Sequence, residues 1–239
     1  MYKRIILKLS GETLAPEKVS EHNASHSFEA RRVDRAARAI VDLHDLGVQV
    51  GVVMGGGNIW RGRFTDAMNP VLADQMGMLA TVINALAVQD AILRLGCGAT
   101  VFTAQEMTRF ADLYRADRAI AAMERGDIVL LSGGTGNPFF TTDTGAALRA
   151  AELHADAVFK GTTVDGVYTA DPRKDPEAKL IRDITYQETI ERSLKVMDTS
   201  AFQLCLDQKI PCIRIFNMDD LDNILRVAKG EDIGTVVHL

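Results

Sequence analysis

The sequence predicts an α/β protein, a three-layer αβα sandwich around a central and mainly parallel sheet. Short apolar runs alternate with helically spaced segments almost from end to end, the pattern of parallel strands joined by crossover helices. Three of those runs stop at a glycine-containing turn that leads toward a helix: KLSGE at Lys8–Glu12, GGGN at Gly55–Asn58 and GTGNPFFTTD at Gly134–Asp143. In an α/β sheet the strand C-termini share one edge, so three such turns converge on one crevice.

The elements follow in order. A strand at Arg4–Leu9 precedes a polar, aperiodic stretch from Pro16 to Ser27, read as a loop. Val33, Ala37, Ile40, Val41 and Leu43 define one face of a helix over 29–46, with Gly47 as its stop. A strand at Val48–Met54 enters GGGN, and Met76, Leu79, Ile83 and Leu86 mark a long helix over 72–95 with a wide apolar face. Met76, Met78 and that face are read as core or subunit interface. Next come a strand at 99–103, a helix at 117–124, a strand at 128–131, a helix over 143–154 and a strand at 157–160. From Gly161 the texture turns to Thr, Asp, Gly and Pro, with Val-Asp-Gly-Val as a hairpin signal, and this stretch is read as a lid-like excursion outside the core. Helices at 186–191, 199–208 and 221–228 and strands at 212–216 and 235–238 complete the pattern. The whole chain, 1–239, reads as one domain with a soft lobe boundary near 160.

Composition bounds the function. With 47% hydrophobic and 25% charged residues the chain reads as an ordinary soluble globular protein, with apolar runs broken by Gly or charge before membrane-spanning length. The cytoplasm is the expected compartment, and the N-terminal apolar run is too short for a secretory signal. A formal net charge of −5 argues against DNA or RNA as a partner, so any phosphate site must be built locally. Three cysteines without a CxxC pair indicate packing rather than a disulfide framework or zinc, and His22 and His26 read as loop histidines.

The parts suit phosphoryl transfer, which needs positioning and positive charge more than covalent chemistry. Lys8 and Lys160 stand at strand ends and can reach phosphate oxygens from two sides, while Asp143 can orient them. Thr141 and Thr142 offer hydroxyls where a helix starts, a place suited to an anion. The dipeptide Gly-Lys is absent, which excludes the usual P-loop, and Trp60 stands where GGGNIW would need the third glycine of a dinucleotide fingerprint. Neither GxSxG nor HExxH occurs.

KLSGE, GGGNIWRG, DQMGMLATVINALA, GTGNPFFTTD, VDGVYTADP and LKVMD, in that order over nearly the whole chain, resemble the bacterial uridylate (UMP) kinases of the amino acid kinase family. The resemblance implies transfer of the ATP γ-phosphoryl group to UMP, giving UDP and ADP in pyrimidine nucleotide synthesis. It also implies dependence on Mg²⁺ held mainly by the nucleotide phosphates, a homohexamer, UTP inhibition and a GTP effector. Residues 1–160 would form the acceptor side and 161–239 the ATP side.

Carried over by position, Lys8, Leu9, Ser10, Gly11, Gly57, Arg61, Thr162, Tyr168 and Asp171 would meet ATP. Gly56, Asp74, Thr135, Gly136, Asn137, Pro138, Phe139, Phe140, Thr141 and Thr142 would meet UMP, Asp74 through the ribose hydroxyls. Lys8, Lys160 and Arg61 would handle the transferred group, and Asp143 and Asp198 would hold the lysines. Rival readings make Asp143 a helix N-cap, Asp74 a charge favouring the helix dipole and Tyr168 an exposed hairpin aromatic. Three departures stand out: the stretch after the first motif lacks the usual glycines, Thr163 stands where a lysine often follows, and Gln89 and Leu93 stand where some GTP-activated relatives carry basic or imidazole groups. Two rival functions are a kinase of a carboxylate or carbamate on the same fold and a non-catalytic nucleotide-binding module.

Overall fold

A computed structural model describes residues 2–16, 27–62, 67–194 and 196–239. Most of the expected loop at 16–27, with His22 and His26, lies outside the described residues.

Among the described residues the central sheet has nine strands: β1 (Arg4–Leu9), β2 (Gln49–Met54), β3 (Ala99–Thr103), β4 (Asp112–Leu113), β5 (Ile128–Ser132), β6 (Ala157–Thr162), β9 (Asp183–Thr185), β10 (Cys212–Asn217) and β11 (Thr235–His238). A separate antiparallel ribbon pairs β7 (Val167–Tyr168) with β8 (Leu180–Ile181). The order across the sheet is β4-β3-β5-β2-β1-β6-β10-β11-β9. Its pairings are parallel except that between β10 and β11, so the predicted mainly parallel sheet is what forms.

Among the described residues, seven helices flank the sheet: α1 (Ala30–Asp45), α2 (Pro70–Arg94), α3 (Ala116–Glu124), α4 (Thr142–Glu152), α5 (Tyr186–Glu191), α6 (Thr199–Asp207) and α7 (Asp222–Ala228). Successive side chains on a strand face opposite ways, and β1 feeds both layers. Ile5, Leu7 and Leu9 join a core with α1, α2 and α7, while Ile6 joins a second core with α3, α4 and α6. Lys8 shares the parity of Ile6 and so projects on the α4 side. Each large aliphatic side chain fully buried in these cores contributes about 1.5–3 kcal/mol.

Local chemistry sets the helix ends. The Asn69 side chain accepts from the N–H groups of Val71 and Leu72 with Pro70 in the first helical position, so α2 starts two residues before the apolar periodicity does. Thr141 caps α4 by accepting from the Asp143 N–H at 3.1 Å, which places Asp143 inside the first turn and not at the cap.

Three readings are corrected. First, the stretch after Lys160 is not wholly an excursion: Gly161 and Thr162 complete β6 within the central sheet, and Val167 is core. The hairpin forms between β7 and β8, so Val-Asp-Gly-Val is its approach and not its turn. Second, β4, β8, β9 and a 3-10 turn at Gly11–Leu14 were not expected, because two- to four-residue elements carry no measurable period. Third, α2 is long and apolar enough to cross a membrane by length and composition. Its inner face is nevertheless committed to the protein, with Ala85, Val88, Ala91 and Ile92 in the first core.

Candidate active site

Strands β5, β2, β1 and β6 lie side by side and parallel, so the turns after Ser132, Met54, Leu9 and Thr162 open on one edge. Glycine lets two of these turns approach closely. A Cβ on Gly55 would lie 2.9 Å from the Gly11 nitrogen and 3.2 Å from the Leu9 carbonyl oxygen. Gly55→Ala should therefore wedge the first two turns apart, costing about 1–3 kcal/mol and much of the turnover. Thermal melts and initial rates on the purified variant measure both.

Lys8 and Lys160 are register partners across β1 and β6. Two like charges directly opposite are unfavourable, and Asp143 resolves the conflict from the first turn of α4. Its Oδ1 lies 3.2 Å from Lys8 Nζ, and its Oδ2 accepts a short hydrogen bond from Lys160 Nζ. All three side chains are largely buried. Burial pushes the Asp143 carboxyl up, but the ammonium groups of Lys8 and Lys160 outweigh it and hold the pKa below the usual carboxylate range. Burial lowers the Lys160 pKa, Asp143 opposes this, and Lys8 adds to the lowering. Two cations share one carboxylate, so the triad carries a surplus positive charge that an incoming phosphate would balance.

Two cavities open at the strand-end turns, one lined by both lysines and the other coming near the triad through Thr141 and Thr142, the residues that precede Asp143. The larger, about 760 Å³, is lined by Lys8, Ser10, Lys160, Gly161, Thr162 and residues of α1. The smaller, about 180 Å³, is lined by Gly56, Gly57, Asp74, Thr135, Phe140, Thr141 and Thr142 among others. Its floor is the N-terminus of α4, where free N–H groups and the helix dipole favour an anion. Segments nearly the length of the chain apart thus meet as expected.

Not every expected residue faces a cavity. The Leu9 side chain is wholly in the core, which leaves only its main chain for any ligand. Arg61 stands outside the lining of both cavities, pairs with Glu12 and donates from Nε to the Gly57 carbonyl at 3.1 Å. Asp198 makes no ion pair with either lysine among the described residues; its Oδ2 accepts from the hydroxyls of Thr141 and Thr144, and its charge reaches Lys160 through space. Tyr168 and Asp171 also stand off the cavities. Tyr168 sits on the β7–β8 ribbon, and the Asp171 Oδ1 accepts from the Arg173 N–H, closing a local turn.

In the third turn, Asp74 accepts from the Phe139 N–H at 2.7 Å, holding a residue at φ 71° whose ring is 73% exposed. Asp74 is therefore more than a charge near the helix start. Gly136, Asn137 and Pro138 form the turn's outer tip with Phe139, and the Gly136 carbonyl accepts from Gln105 Nε2 at 2.8 Å. Met78, read as core or interface, also lines the smaller cavity. Sequence reasoning passed over Trp60 as a wall of that cavity; its indole N–H donates to the Ala73 carbonyl at 2.9 Å, and no short motif signals this.

Among the described residues, no group of three or more His, Cys, Asp or Glu side chains gathers to hold a metal ion. Both Asp143 oxygens face ammonium groups, a poor donor set for a dedicated cation cage.

An open αβα sandwich with paired ammonium groups and glycine turns at its strand ends belongs to the phosphotransferase class. The sequence model of the amino acid kinase family matches residues 3–217, and the chain belongs to that family. It is similar to the uridylate kinase of Bacteroides thetaiotaomicron, 50% identical over 239 residues, covering 99% of this chain and 98% of that protein. The uridylate kinase of Phocaeicola vulgatus is 49% identical over the same shares. Among solved structures, the UMP kinase from Bacillus anthracis superposes with a TM-score of 0.93 at 34% identity, covering 99% of this chain and 96% of that one. The UMP kinase from Ureaplasma parvum gives 0.91 at 33% identity over the full length of both chains.

Proposed function

We propose that this chain transfers the γ-phosphoryl group of ATP to UMP, giving UDP and ADP, as a step toward UTP and CTP. The observation that carries the reading is the Lys8–Asp143–Lys160 triad, whose lysines line a cavity large enough for a nucleoside triphosphate and whose aspartate follows Thr141 and Thr142 in the wall of a smaller one. The relatives named uridylate or UMP kinase over the full chain choose the acceptor.

ATP occupies the larger cavity, its phosphates reaching Ser10, Gly11 and the two lysines, with Thr162 toward the nucleoside, while Gly57 lines the smaller cavity and could meet ATP only where the two substrates face each other. UMP occupies the smaller, its phosphate at Thr141 and Thr142 and its uracil and ribose toward Thr135, Phe140 and Asp74. An oxygen of the UMP phosphate forms the new bond to the γ-phosphorus as the bond to the β,γ-bridging oxygen breaks, and ADP leaves with that electron pair. The acceptor is already anionic, so no side chain acts as base. Lys8 and Lys160 balance charge that spreads over the transferred oxygens, and Asp143 keeps them apart and aimed. Mg²⁺, held mainly by the nucleotide phosphates, would supply charge neutralisation, which suits a protein whose nearest carboxylate, Asp143, is engaged by lysines.

The acceptor side draws on residues 1–160, whereas the larger cavity draws on both halves, since Lys8, Ser10 and α1 line it beside residues 161–239. Self-association is supported by Leu72, Met76, Leu79 and Ile83, all exposed along one side of α2, and the homohexamer follows from the resemblance to the UMP kinases. The reading places the enzyme in the cytoplasm. UTP shares uracil and phosphate with UMP and would inhibit at the acceptor cavity. For GTP the support is thinner, because Gln89 donates its amide to the Ala99 carbonyl and Leu93 is apolar.

Product formation with ATP and Mg²⁺ over a panel of UMP, CMP, carbamate and small carboxylates tests the reading. UDP from UMP is expected; turnover of a carboxylate or carbamate without UMP would overturn it.

The lowered Lys160 pKa gives a pH signature. As pH rises, kcat/KM should fall at a pH below the ordinary lysine value, where the free enzyme's ammonium loses its proton. Bound phosphates favour the ammonium, so the same limb in kcat should lie at higher pH. Paired pH–rate profiles measure the displacement, and the reverse order would contradict it.

A further inference from the structure

The acceptor cavity is bounded by the second and third glycine turns, and both are tied to one helix. Thr81, 3% exposed, donates its hydroxyl to the Met78 carbonyl at 2.7 Å and accepts from the Gly133 N–H at 2.8 Å. Asn84, fully buried, donates from Nδ2 to the Gly55 carbonyl at 2.6 Å. It also exchanges amide hydrogen bonds with Asn58, at 2.8 and 3.1 Å. Gly55 opens the second turn and Gly133 precedes the third. Residues three apart on a helix share a face, so these two side chains reach two strand ends from consecutive points on one rod.

Their neighbours on that face of α2 are Ala80, Ala85 and Val88, so apolar residues would fill the space as well. A buried hydroxyl or amide in such a row is costly unless its partners need it. The partners here are main-chain groups whose separation sets the width of the cavity, and Asp74 on the same helix fixes the far end of the third turn through Phe139. We infer that Thr81 and Asn84 are positioning residues for the phosphorylated acceptor, holding the two turns at the spacing its phosphate and ribose require. The inference rests on the proposed reading of the smaller cavity as the UMP site.

The test compares wild type with Thr81→Val, Thr81→Ser and Asn84→Leu in steady-state kinetics with UMP and ATP varied separately, alongside thermal melts. Thr81→Val keeps the volume but leaves the Gly133 N–H buried without a partner, so KM for UMP should rise about ten- to hundredfold. KM for ATP should change less than about threefold, a shift of roughly 0.6 kcal/mol. Thr81→Ser restores the hydroxyl and should bring KM for UMP back toward wild type. Asn84→Leu should repeat the selective loss by freeing the Gly55 carbonyl. A lowered melting temperature with unchanged KM for UMP, or equal losses for both substrates, would overturn the positioning role. A wild-type protein that makes no UDP would instead overturn the reading on which it stands.

Discussion

Lys8→Ala should lower kcat for UDP formation by roughly 10²- to 10³-fold while moving KM for UMP far less. Lys8 stands at the end of β1 with its ammonium 3.2 Å from Asp143 Oδ1, and it lines the larger cavity without lining the smaller. Its charge is therefore aimed where the transferred group must pass, and its loss removes stabilisation that grows as the β,γ-bridge opens. A group that acts on the transition state lowers kcat and kcat/KM together. Steady-state rates with circular dichroism as a check on folding decide the matter. An increase in KM for ATP at constant kcat would make Lys8 a tether and not a participant.

Asp143→Asn should have the largest effect on the fold. Both lysines would face each other across β1 and β6 with no anion between them, a broken buried ion pair that costs about 3–5 kcal/mol. The native carboxyl has a lowered pKa, so its contribution is fully present above the unfolded carboxylate's value and is lost as pH falls through the depressed folded value. The gap in melting temperature between wild type and variant should thus be wide at neutral pH and narrow in acid. Phosphates can take the place of the missing anion, so saturating ATP and UMP should stabilise Asp143→Asn more than wild type. Calorimetry across pH, with and without nucleotides, measures each term. An equal gap at all pH values would show that the pairing contributes nothing to folding.

Much of the architecture is legible in the sequence because its elements are long. Sixteen residues of α1 repeat the apolar face more than four times. The strand-end turns are legible because glycine followed by Ser, Thr or Asp has a local chemical meaning. What the sequence hides is pairing at a distance. Nothing near Arg61 indicates that Glu12 neutralises it, and nothing near Asp198 indicates that Thr141 and Thr144 engage it rather than the lysines. Thr81 and Asn84 are equally silent, since a polar residue within an apolar helical run has no period of its own. The short strands β4 and β9 form by adding to an existing sheet edge, so their cause lies in β3 and β11 and not in their own residues.

The lysine pair is spaced by main-chain hydrogen bonding between neighbouring strands, and not by the conformations of two flexible side chains. Inserting or deleting a single residue inside β1 or β6 would rotate one ammonium through the sheet to the opposite layer, since side chains alternate along a strand. The same change in the segment joining β7 to β8 leaves that alternation untouched. A change of length in the connections should accordingly leave the lysine pair intact, whereas one inside either central strand should abolish it.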